Sequence, residues 1–203
     1  MCNRVEETAE AIRLARRAVE WGRDDAFALS QAGYVLARLA REPEAGDALI
    51  ERALALNPNL ATAWLWSGWV KIFLGRSDLA IKDLAHCMRL SPFDWSLGML
   101  GNPQAQVATA LAYFCMGRYD EAAFWAEKIL GEEFRMAYIS ALRVAAASHA
   151  LAGRLEEAQR AMVVSQQLDP TLRVSNLKDR LPPLRPEHFA RLAEGLRKAG
   201  LPE

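Results

Sequence analysis

Apolar residues recur along this chain at spacings of three and four, the pattern of helices that bury one face. In PEHFARLAEGLRKAG, Phe189, Leu192 and Leu196 fall at i, i+3 and i+7, and Pro-Glu at the start with Lys-Ala-Gly at the end bound a short helix. Trp66, Trp69 and Phe73 make a second stripe, with Trp64 on the opposite face at about 100° per residue. Turn residues punctuate the helices at a fixed interval. Asn57-Pro58 and Ser91-Pro92 lie 34 residues apart, each closing an Ala-rich segment, and VVSQQLDP closes a third at Pro170. Gly75, Gly117 and Gly153 open GRSDLAI, GRYDEAA and GRLEEAQ. Glycine there suits the left-handed residue that ends one helix before an antiparallel one begins. Each unit is a helical hairpin, and the fold class is all-α.

The residues at these positions resemble the tetratricopeptide repeat, W-x2-L-G-x2-Y in a first helix and A-x3-F, Ala, Pro in a second. One unit supplies Trp64, Ser67, Gly68, Ala80, Leu84, Cys87 and Pro92. The unit before it supplies Leu29, Ala32, Gly33, Leu36, Gly46, Ile50, Ala53 and Pro58. After it come Thr109, Ala110, Tyr113, Ala122, Ala126 and Ile129 without a closing proline, then Leu142, Ala145, Ala146, His149, Ala158, Met162, Ser165 and Pro170. The resemblance implies a right-handed superhelix of antiparallel helix pairs. A single repeat domain is expected over residues 1–203, with a leading helix at 5–22 and repeats at 26–58, 61–92, 103–131 and 136–170. The leading helix reads as the second helix of a repeat without its partner, so the chain reads as starting inside an array. An insertion at 93–102 and a tail at 171–203 with a capping helix complete the division.

Departures from the period mark local changes. Gly33 to Pro58 is 25 residues against 24 from Gly68 to Pro92, which predicts one extra residue in the loop around Arg41-Glu42-Pro43. Gly75 to Gly117 is 42, and the surplus WSLGMLGN, residues 95–102, reads as a packed apolar excursion. Asn102-Pro103 reads as a helix cap and first position.

Composition narrows the function classes. The 25 basic and 25 acidic residues cancel, removing the field expected of a nucleic-acid binder, and Arg13, Arg16 and Arg17 read as a solvated face. No apolar run approaches a membrane span and the N-terminus carries charges in place of a signal peptide, so a cytoplasmic protein is expected. Cys2, Cys87 and Cys115 show no disulfide or zinc spacing. SPFDWSLGML, GRYDEAAFWAEK, LRVAAASHALAGRLEEA and the ending RVSNLKDRLPPLRPEHFARLAEGLRKAGLPE are similar to the C-terminal repeat region of bacterial multidomain regulators. Those place a class III adenylate or guanylate cyclase domain, or a winged-helix domain, ahead of the repeats. That resemblance implies a signalling or interaction module attached to another domain, and carries no cyclase activity.

In the repeat family the first helix of each pair lines the concave side. With Trp64 packed on its partner helix, the stripe of Trp66, Trp69 and Phe73 is expected to face that groove. The same offsets give Gln31, Tyr34 and Arg38 in the first unit, Ala108, Leu111 and Cys115 in the third, and Val144, Ala147 and Leu151 in the fourth. The wall is aromatic in the middle, aliphatic toward the C-terminus and polar at one end, unlike a lysine- and arginine-lined clamp for a peptide carboxylate. Three occupants remain open: the chain's own tail with Phe189, Leu192 and Leu196 inward, an amphipathic or extended apolar segment of a protein partner or parent domain, and a second copy in a homodimer. Lys71 stands where the pattern wants an aromatic, its stem packed and its ammonium expected outward.

No catalytic set emerges. His86-Cys87 with Asp83 is the nearest approach to one, but Cys87 fills a packing position. His149 reads as helix packing and His188 as solvent-facing. Glu132-Glu133 and Glu156-Glu157 read as acidic starts of helices. No enzyme activity, metal or cofactor is expected; the function expected is a protein-binding scaffold.

Overall fold

The computed structural model describes residues 4–94, 99–100, 102–129 and 135–203. Eleven α-helices and one two-stranded ladder appear among the described residues. The contacts divide the chain into two compact units, residues 1–100 and 101–203, where the sequence pattern reads as one domain.

Unit 1 begins with α1 (Arg4–Trp21), followed by the pairs α2 (Ala26–Val35) with α3 (Pro43–Leu56) and α4 (Ala61–Phe73) with α5 (Ser77–Leu90). Helix α1 packs on α2, and α4 packs on both α2 and α3. Asp25 caps α2, its carboxylate accepting from the Phe27 and Ala28 amides at 2.9 and 3.0 Å, and Pro43 starts α3. Leu29, Ala53 and Ala63 join three helices in one core cluster. The α2–α3 crossing depends on a glycine pair: a Cβ at Gly33 would lie 2.7 Å from the Gly46 carbonyl, and one at Gly46 2.5 Å from the Gly33 carbonyl. Backbones thus touch directly, and no larger residue fits either site without moving a helix.

The extra residue of the first repeat is placed differently from the sequence expectation. Arg41, in the left-handed region at φ 59°, ends the first helix eight residues after Gly33, whereas Gly75, at φ 76°, follows Gly68 by seven. The added residue lies inside the helix, where Leu36–Ala40 form a π turn, and the loop that follows is no longer. A π turn absorbs one inserted residue without rotating the rest of the helix off its buried face.

After α5, β1 (Phe93–Asp94) pairs antiparallel with β2 (Met99–Leu100), Phe93 opposite Leu100 and Asp94 opposite Met99. The expected packing of the excursion falls partly on residues 95–98 and 101, outside the described residues, as does Glu132-Glu133.

Unit 2 comprises α6 (Pro103–Cys115) with α7 (Tyr119–Glu127), α8 (Arg135–Leu151) with α9 (Leu155–Leu168), a short α10 (Leu177–Arg180) and the tail helix α11 (Pro186–Lys198). Asn102 caps α6 through the Ala105 amide at 3.1 Å with Pro103 at the first turn, and Glu156 and Glu157 lie in the first turn of α9. Gly117 and Gly153 close the first helices at φ 76° and 83°. Helix α11 packs on α8 with Leu192, Ala193 and Leu196 buried. A Cβ at Gly195 would sit 2.8 Å from the Ala147 carbonyl, so these two helices also meet backbone to backbone. Arg143 pairs with Asp169 at 2.7 Å, and the Val174 amide donates to the Pro202 carbonyl at 2.9 Å, fastening the tail to its own unit. Among the described residues no helix is long and apolar enough to cross a membrane.

Candidate functional site

The stripe of α4 meets α2 in an aromatic cluster. Tyr34 and Trp66 stack with ring centroids 4.0 Å apart and 18° between planes. Phe73 lies 6.4 Å from Tyr34 and 6.1 Å from Trp69. Each such pair is worth about 0.5–1.5 kcal/mol beyond the area it buries. Arg38, one turn on from Tyr34, donates to its hydroxyl at 2.9 Å and holds its guanidinium 5.9 Å from the ring centroid. Burial pushes the Tyr34 phenol above its ordinary pKa, with Arg38 opposing, so it stays a neutral hydroxyl. Trp69 and Phe73 are buried, whereas Gln31, Tyr34, Arg38 and Trp66 keep part of their surface. The predicted residues of α2 and α4 therefore include four aromatics brought into contact.

Two polar groups in this cluster have no match. The indole nitrogens of Trp66 and Trp69 are both buried without a hydrogen-bond acceptor among the described residues. An unpaired buried donor costs about 1–3 kcal/mol. By contrast the Trp64 indole donates to the Pro58 carbonyl at 2.8 Å and its ring lies 4.5 Å from His86 of the partner helix. Trp64 is a packing residue; Trp66 and Trp69 carry donors the fold leaves unused.

The residues that share these offsets in unit 2 have a different setting. Ala108, Leu111, Cys115, Val144 and Ala147 are buried, and Leu151 is half-buried. Gly195 of α11 lies against Ala147, and Arg191 donates to the Cys115 carbonyl at 3.2 Å. The aliphatic wall expected there as a partner surface is interior, because alanine at position 147 lets the tail helix seat on it.

Several single-residue expectations change. Lys71 does not point outward: it pairs with Asp83, whose other contact is a 2.6 Å bond from the Ser67 hydroxyl, and both charged side chains are largely buried. A lysine stem in a repeat interface can reach a carboxylate on the partner helix, and burial then demands the pair. That pairing also removes Asp83 from His86-Cys87. Burial pushes the Cys87 thiol up to about 11, the behaviour of an inert core thiol. His149 does more than pack: its Nε2 lies 2.7 Å from Glu127, and Arg154 donates to its Nδ1 at 2.9 Å. His188 is half-buried with Nδ1 unpaired among the described residues, and burial lowers its pKa. Among the described residues no group of three His, Cys, Asp or Glu side chains could hold a metal ion.

One repeated device escaped the residue pattern. After two of the three turn glycines the arginine reaches back to the preceding second helix, Arg76 to Asp47 at 3.1 Å and Arg154 to Asp120 at 2.6 Å, whereas Arg118 pairs with Glu121 of the helix it precedes. The signal was present in the Gly-Arg of GRSDLAI and GRLEEAQ, but the acidic partners lie a repeat away.

Comparison with known proteins agrees with this architecture. Residues 61–94, which include α4 and α5, match the family described as Tetratricopeptide repeat. The fold is that of tetratricopeptide-repeat proteins. Among solved structures, TTC0263, a thermophilic TPR protein from Thermus thermophilus, superposes with a TM-score of 0.67 at 17% identity over 94% of this chain and 91% of that one. PilW, a type IV pilus biogenesis factor, gives 0.67 at 14% identity over 98% and 89%. YrrB, described as a TPR protein with an unusual peptide-binding site, gives 0.56 at 19% identity over 91% and 90%. At these identities the likeness is one of fold. No curated protein matches the chain.

Proposed function

We propose that this chain is a protein-binding scaffold that takes up an apolar or amphipathic segment of a partner on the aromatic face of α2 and α4. The observation that carries the reading is the partly exposed Tyr34–Trp66 stack, flanked by the half-buried Gln31 and Arg38. The repeat requires neither tryptophan, and the partly exposed rings of Tyr34 and Trp66 offer an apolar seat for a bound segment. Peptide binding described for YrrB makes such a role compatible with the fold. A photo-crosslinking residue in place of Gln31, used in the native host, would capture the occupant of this face, and mass spectrometry would map the captured segment. The expected product is one apolar or amphipathic segment, lost when Trp66→Ala and Trp69→Ala are combined in a chain whose circular dichroism is unchanged. Capture that persists in the double variant would place binding elsewhere.

A second reading has its own support. Helix α11 already occupies the matching residues of unit 2, so apolar faces of this chain can be filled from within. On that reading the chain acts as the regulatory C-terminal part of a bacterial cyclase or transcriptional regulator, and its partner is another domain of the same protein.

A further inference from the structure

Helix α1 packs one apolar flank and leaves a second, mixed flank open. Ile12, Ala15 and Val19 pack against Ala32, Leu36 and their neighbours. The second flank runs Glu7, Glu10, Leu14, Arg17, Trp21, alternating spacings of three and four, the seam of a two-helix contact. Leu14 is 50% exposed and Trp21 77%, the latter with Arg17 stacked 4.5 Å above its ring. A leucine and a tryptophan in line on one helix form a patch that water covers at a cost.

The charges along this seam are ordered. Both acids lie toward the N-terminal end and the arginine toward the C-terminal end, with Leu14 between them. Arg13 and Arg16 of the same helix are engaged within the chain, Arg13 with Glu10 at 2.7 Å and Arg16 with Glu42 at 2.9 Å, and neither lies on the seam. A uniformly acidic or basic partner would therefore meet one half of the seam with repulsion. A parallel copy would set Glu10 on Glu10 and Arg17 on Arg17. An antiparallel copy centred on Leu14 has neither fault: Leu14 meets Leu14, and each Arg17 comes opposite Ala11, between Glu7 and Glu10 of the other helix.

We propose that α1 is a self-association surface, and that its open flank pairs antiparallel with the same flank of a second copy about a two-fold axis at Leu14. An isologous contact of this kind needs one self-complementary patch, and the charge order of α1 supplies it. One helix per copy makes a small interface, so the dimer is weak and reversible.

Sedimentation velocity of the full chain from roughly 10 to 500 micromolar, a range suited to a small interface, should show a concentration-dependent dimer. Leu14→Glu should weaken it roughly tenfold or more, and Glu10→Arg or Arg17→Glu alone several-fold. Mixing the Glu10→Arg chain with the Arg17→Glu chain should restore a heterodimer, because each arginine then faces a glutamate across the axis. All three sites are on the exposed flank, and unchanged helical circular dichroism would verify folding. A chain that stays monomeric throughout, a dimer indifferent to Leu14→Glu, or a mixture that fails to pair would overturn the proposal. Loss of the dimer in Trp66→Ala with Leu14→Glu silent would assign self-association to the aromatic face instead.

Discussion

The first helices of the two units present the same repeat position with opposite chemistry. In α4 it is Trp69, whose neighbours Trp66 and Phe73 gather Tyr34 into an aromatic cluster. In α8 it is Ala147, and the missing bulk is replaced by a whole helix, α11, brought to backbone contact through Gly195. One unit solves the exposure of its first helices with large side chains, two of whose donors are unpaired among the described residues. The other solves it with small side chains and a tail. Side-chain volume at one register position thus decides whether a repeat face is covered by its own aromatic side chains or by a further helix.

Exchanging that volume should have the largest effect. Ala147→Trp would force α11 off α8, costing about 3 kcal/mol or more, since the new ring has no space beneath Gly195. Urea unfolding should show the loss, and limited proteolysis should cut newly in residues 181–203. Intact tail protection would mean that α11 is not held by this contact.

A counterpart in unit 1 is Gly33→Ala. Its methyl meets the Gly46 carbonyl at 2.7 Å, so a loss of about 2 kcal/mol is expected, read from the thermal midpoint. A neutral result would show that α2 and α3 can separate slightly at no cost.

Trp69→Phe tests the unpaired donor. Removing the indole nitrogen while keeping most of the apolar bulk should leave the free chain within about 1 kcal/mol of wild type. A loss of several kcal/mol would mean the nitrogen has an acceptor in the folded chain.

The smallest effect concerns Asp47, buried in α3 beside Arg76, with one carboxylate oxygen unpaired among the described residues. Burial raises its pKa above the ordinary 3.8, with Glu51 adding to the rise and Lys71 and Arg76 opposing it. A raised folded pKa favours the protonated form, so this contribution to stability is present below about pH 4 and lost as pH rises through the folded value. Asp47→Asn should accordingly gain roughly 0.5 kcal/mol at neutral pH, and the gain should shrink on acidification. A gain independent of pH would assign the effect to hydrogen bonding rather than ionisation.

Much of the helical order was legible because it is written locally. Glycine after three of the four first helices, proline after most second helices and the 34-residue interval follow from turn geometry and capping, which need only a few adjacent residues. The π turn that follows α2 was half legible: the count of 25 against 24 revealed an extra residue, and only the folded backbone places it in Leu36–Ala40 rather than the loop. Lys71 was misread because its partner Asp83 lies on the other helix of the pair, twelve residues on, where spacing gives no direction. The Arg76–Asp47 and Arg154–Asp120 ties cross between repeats and leave no local trace at the acidic end.

By itself, the sequence determined an all-α chain of helical hairpins, the residues on each buried face, and which aromatic residues exceed what the repeat requires. Those properties depend on periodicity and on turn residues, which act over a few positions. Tertiary structure decided that α11 covers Ala147 and Cys115, that Trp66 stacks on Tyr34, and that two indole donors find no acceptor among the described residues. Each of these depends on distances between residues far apart in the chain, fixed only when backbones close to contact at sites such as Gly33 and Gly195.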